Sequence, residues 1–131
     1  MNFNKYIGIP YKEYARGPDS YDCWGLVWVV ASEVFNHKLP CLTEVDPDDK
    51  KAVTRAAQQL VLSKALTISS VPVAGAIAAG CYGGVFIHVG IVVEADGRMW
   101  VLEADTGTNS RLLTLDKFAQ PFERVDYYVE T

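Results

Sequence analysis

The order of residue patterns predicts an α+β domain, with helices from the N-terminal half packed on an antiparallel β-sheet from the C-terminal half. Three observations carry this. A run that is apolar nearly all round, Cys23 to about Phe35, follows a turn-rich segment, Arg16-Gly17-Pro18-Asp19-Ser20. A second stretch has apolar residues at helical spacing. After Ser70 the chain turns to short β-rich runs broken by turns, without the strand–helix alternation a parallel sheet requires. The 131 residues suffice for one domain with a sizeable core and are too few for two ordinary ones, so a single domain 1–131 is expected.

Residues 1–22 read as irregular, with tyrosines at 6, 11, 14 and 21 and prolines at 10 and 18. The helix over Cys23 to about Phe35 is apolar nearly all round, which predicts burial, and Pro40 breaks the segment Asn36 to Leu42 that follows. Asp46-Pro47 reads as an N-cap with proline at the first helical position. That helix should run to about Ser63, with Val53, Ala56, Ala57, Leu60 and Val61 facing the core. A short strand is expected within Val71 to Ala79, then a flexible connection over Gly80 to Gly84. Val85 to Glu94 and Arg98 to Ala104 form a hairpin about Ala95-Asp96-Gly97. After the loop Asp105 to Asn109, strands are expected near Arg111 to Leu115 and Val125 to Val129, with a helical turn over Asp116 to Gln120 between them.

Composition excludes several classes. Half of the residues are hydrophobic, 21% are charged and the net charge is -4, so no basic field attracts nucleic acid. Three irregularly spaced cysteines and two histidines argue against a disulfide framework, a zinc site or any other metal centre. Cys41 and Cys81 read as small buried hydrophobes. No apolar stretch reaches membrane-spanning length, so no membrane insertion is expected. Met1 to Pro10 lacks the apolar segment of a signal peptide, so synthesis as a soluble cytoplasmic chain is expected.

The chemistry-bearing residues are Cys23 and His88. A thiol at the first turn of a buried helix sits at the positive end of the helix dipole, which favours the nucleophilic thiolate. An imidazole brought beside it by the fold can take the thiol proton and later protonate a leaving amine. Hairpin register selects the third group. Pairing Val93 with Arg98 sets His88 opposite Glu103, and a two-residue Asp96-Gly97 turn sets it opposite Asp105. Both carboxylates share the face of His88 in either register, and either can hold the ring. Glu103 is preferred because it still lies within the strand. Taken singly, a strand histidine or a helix-opening cysteine is more often a core residue; the combination shifts the balance toward catalysis.

Three segments also resemble a family: I-G-I-P-Y (7–11), R-G-P-D-S-Y-D-C-W-G-L-V (16–27) and H-V-G-I-V-V (88–93) are similar to the NlpC-type cell-wall cysteine peptidases. The form D-C-W-G-L-V, with Leu39-Pro40 after the helix, looks most like the branch found in bacteriophage tail assembly proteins, where Trp24 replaces the serine of cellular members. The resemblance implies a papain-like fold and hydrolysis of amide bonds in peptidoglycan stem peptides, without a cofactor. It implies Cys23 as nucleophile, His88 as base and Glu103 as third residue, where the family more often has histidine. It further implies a Tyr11 hydroxyl in the oxyanion pocket, beside the Cys23 amide, and a mainly structural Asp22. Apart from the resemblance, Tyr11, Tyr14, Tyr21 and Trp24 are candidates to line the cleft, with a core role at least as favoured for Trp24 and Trp28. Gly75 is followed by Ala76 where the family usually has Gly-Asp. The substrate would be a wall stem peptide, reached by delivery through a virion tail or a secretion system. Two rival readings are an antibacterial effector amidase and a non-catalytic tail module.

Overall fold

The computed structural model describes residues 2–131. Two helices, α1 (Cys23–Phe35) and α2 (Lys50–Leu62), precede the sheet. The strands are β1 (Leu66–Ser69), β2 (Ile77–Tyr82), β3 (Val85–Ala95), β4 (Arg98–Glu103), β5 (Arg111–Thr114) and β6 (Arg124–Glu130), with a short helix α3 (Leu115–Ala119) between the last two. The six strands form one sheet in the order β1-β6-β2-β3-β4-β5, every neighbour antiparallel. The expected α+β class and antiparallel sheet are present. No helix among the described residues is long and apolar enough to cross a membrane.

Helix α1 starts because Asp22 caps it, its carboxylate accepting from the Gly25 N–H at 2.7 Å. It ends at Asn36, which takes the left-handed conformation at φ 55°. Leu26, Val27, Val30 and Ala31 are buried against Ile91, Val93 and Leu102. Burial is one-sided, contrary to the all-round expectation: Ser32 and Glu33 are exposed. The indoles of Trp24 and Trp28 donate to the Pro40 and Leu39 carbonyls, so the segment after the helix covers part of its other side.

Helix α2 lies on the same face of the sheet as α1, its Thr54 hydroxyl accepting from the Phe86 N–H at 3.0 Å. It starts later than expected, capped by Asp49 rather than Asp46, because the Asp46 side chain is engaged by the Asp48 N–H in a turn around Pro47. On the opposite face, Phe118 of α3 packs on Ala78, Val92 and Val101.

The strand boundaries differ most around residues 66–84. β1 was not expected; its few residues carry no clear alternation and depend on pairing with β6. The strand placed within Val71 to Ala79 lies at Ile77–Tyr82, and the connection placed at Gly80 to Gly84 shrinks to Gly83-Gly84. Gly80 is in the strand because an aromatic ring stands where its side chain would be: a Cβ there would meet the Phe122 ring at 2.5 Å.

Candidate active site

Cys23 opens α1 and is almost fully buried at the N-terminal end of that helix. Its amide stands at the first helical position, where an N–H has no acceptor within the helix. Asp22 fixes this end: besides the Gly25 N–H it accepts from the Tyr14 N–H and from Arg16 Nη1, each at 2.9 Å, and is itself 1% exposed. Arg16 also reaches the Cys41 carbonyl at 2.9 Å. The loop before the helix is thus tied to the helix start through one carboxylate. Gly25 permits the approach, since a Cβ there would sit 2.0 Å from the Ala15 carbonyl oxygen.

His88 comes from β3, beside a bulge. Gly80 pairs with His88 and Cys81 with Phe86, so Ile87 has no partner and is the inserted residue. The imidazole stacks on Phe118 and Phe122, ring centroids 5.8 and 6.3 Å away. Its Nε2 lies 3.0 Å from Glu103 Oε1. The hairpin uses the two-residue turn, with Ala95 opposite Arg98 and positive φ at Asp96 and Gly97. Continuing that register sets Asp105 opposite His88 and Glu103 opposite Gly90. The Glu103 side chain nevertheless reaches His88 diagonally. Asp105 contributes charge to the ring without the close contact.

The electrostatics follow from burial and partners. Burial opposes charge on His88, but the neighbouring Cys23 thiol and Glu103 outweigh it and push the ring's pKa up to about 10. Burial would raise Glu103; its contacts with His88 and then Arg111 overcome this and hold it below the ordinary carboxylate range. Arg111 Nε donates to Glu103 Oε2 at 3.0 Å from the paired position on β5. Arg111 was not anticipated from the sequence, where an arginine opening a strand looks like any solvated cation. Burial first, then the charge of Cys23, raises the Tyr11 phenol, so it stays a protonated donor beside the thiol.

Not every expected cleft residue lies there. Trp24 borders the cavity next to Cys23 and His88. Tyr21 is buried in the core and Tyr14 is exposed. Cys81 is buried as expected, its thiol pushed up by burial and by Asp126. Cys41 is only half-buried, because it lies in the covering segment after α1 rather than in an element.

His88, Glu103 and Asp105 bring potential metal-ligand atoms within 4.8 Å of one another. The Glu103 oxygens already serve His88 and Arg111, so a cation would have to displace a buried ion pair and face a guanidinium. The donor set therefore fits imidazole orientation better than metal binding. Neither a protein-family model nor a curated protein matches this sequence.

Proposed function

We propose that the protein is a cysteine peptidase or amidase of the papain-like NlpC type, acting on amide bonds of peptidoglycan stem peptides, delivered to the wall as a component of a phage tail. The observation that carries the chemistry is the buried His88–Glu103 pair at 3.0 Å beside a thiol at the head of α1. A satisfied core histidine does not need an ionised carboxylate on one side and a thiol on the other. The substrate class rests on the D-C-W-G-L-V and H-V-G-I segments.

In this reading Cys23 gives its proton to His88 and its sulfur attacks the scissile carbonyl. The Tyr11 hydroxyl and the Cys23 amide donate to the oxyanion. His88 returns the proton to the departing amine, and water then hydrolyses the thioester with His88 as base. Glu103 holds the ring's other nitrogen throughout. The test is incubation of purified peptidoglycan with wild type and Cys23→Ala, followed by mass analysis of released muropeptides. Wild type is expected to release cleaved stem peptides, and Cys23→Ala none above background. Equal release by the two proteins would sink the mechanism.

A further inference from the structure

Helix α2 turns Val53, Ala57 and Leu60 toward the sheet, yet none of its residues is buried. The sheet residues beneath it, Ile77, Ala79 and Phe86, are each under a tenth exposed. Between helix and sheet runs a cavity of about 70 Å³, and Cys23 forms part of its wall. His88 borders it from the strand, while its ring lies on the other face against Phe118 and Phe122. The cavity thus reaches the residue that carries the thiol from the side of the sheet on which α2 packs.

The wall is apolar, and its charged members besides His88 are already engaged. Arg16 and Asp22 hold each other at 2.9 Å, and Lys50 Nζ donates to the Pro47 carbonyl at 2.7 Å. An ammonium entering here would find no free anion, and a carboxylate only Lys50, and either would leave water for a largely aliphatic wall, which is costly. An aliphatic chain would gain by leaving water. A dry cavity of about 150 Å³ accepts benzene, so the space of ~70 Å³ takes about three carbons.

We propose that the cavity under α2 is the acyl subsite of Cys23 and takes an uncharged aliphatic chain of about three carbons borne on the carbonyl that the thiol attacks. This rests on Cys23 being the nucleophile and narrows the substrate class: the group next to the scissile carbonyl is aliphatic, and charge belongs farther along the substrate.

The experiment uses the full chain with p-nitrophenyl acetate, butyrate, octanoate and hemisuccinate. In each turnover the sulfur–carbon bond forms as the ester C–O bond breaks and p-nitrophenolate leaves. Water then cleaves the thioester to the free acid and the thiol, its proton passing through His88. The butyrate-to-acetate ratio of kcat/KM in wild type should be about 15, roughly fourfold for each methylene buried. Octanoate and hemisuccinate should fall below butyrate. Ala57→Leu, which fills the cavity, should bring the butyrate-to-acetate ratio close to one. Leu60→Ala, which enlarges it, should move the preference toward octanoate. The two variants have opposite expected signs, and a misfolded protein loses all esters alike, so a failure to fold in one leaves the other decisive. Cys23-dependent hydrolysis with the same chain-length ratios in wild type and both variants overturns the subsite alone, as does hemisuccinate outrunning butyrate. Absence of Cys23-dependent hydrolysis of every ester overturns the nucleophile assignment and the subsite with it.

Discussion

Glu103 divides its two oxygens between His88 and Arg111, and this division sets what single substitutions should do. Arg111 contacts only the carboxylate, so it positions the ring through Glu103. Arg111→Ala should lower turnover about tenfold, the scale of one charge-assisted hydrogen bond, while Arg111→Lys recovers part of it. With the guanidinium gone, Glu103 takes up a proton at higher pH, so the acid limb of the activity profile should move upward. A simple loss of packing would lower activity without moving that limb. The same pair gives stability a pH signature. His88 is raised from 6.5 to about 10, so its contribution is whole below pH 6.5 and fades as pH climbs through about 10. Glu103 is lowered from 4.5, so its contribution is whole above that value and is lost on acidification. Melting temperature should therefore be highest between about pH 4.5 and 6.5, and His88→Asn should flatten the alkaline decline. A wild-type melting temperature level from pH 6.5 to 10 contradicts the paired ring. Cys23 and His88 were legible as candidates only in combination, because each taken singly reads as a core residue. The choice of Glu103 over Asp105 was not settled by register alone, because the contact is diagonal and register describes only residues directly opposite.

Helix α1 was legible in its extent because the apolar run and the turn-rich and proline-containing segments flanking it are local, whereas the Asp22 cap and the left-handed Asn36 were seen only in the structure. Its anchoring to the loop before it was only half legible: an aspartate beside the cysteine is visible, but the Tyr14 amide and the Arg16 guanidinium that converge on it are brought by tertiary folding. Asp22 is the N-cap and the partner of an almost buried arginine, whose side chain is 12% exposed. Asp22→Ala leaves that cation unpaired and the helix start uncapped, so denaturant titration should show a loss of about 3 kcal/mol or more. Asp22→Asn keeps the shape and one acceptor and should lose clearly less. Equal losses would mean that volume, not charge and capping, holds this junction. Residues 66–84 were poorly legible for a related reason. β1 is short and lacks alternation, and Gly80 looks like a turn residue until the Phe122 ring is seen against it.

At the scale of the whole molecule, Ser110 ties segments that are far apart in the chain. Its hydroxyl accepts from the Ile9 N–H at 2.9 Å and donates to the Tyr6 carbonyl at 2.6 Å. Its backbone exchanges further bonds with Gly8 and Ile9. The tie holds the N-terminal segment that carries Tyr11. Ser110→Ala should leave one buried and one part-buried backbone group short of a partner, at about 1–3 kcal/mol, and lower the melting temperature by several degrees. Unchanged stability would show that the backbone bonds suffice. The sequence by itself determined the α+β class, the first helix, the hairpin and the cysteine–histidine candidates, because each is written in local propensity and periodicity. Only the tertiary structure decided the six-strand order, the bulge at Ile87, the Glu103–Arg111 pairing and the cavity under α2. These depend on contacts between residues far apart in the chain, where packing rather than local pattern selects the partner.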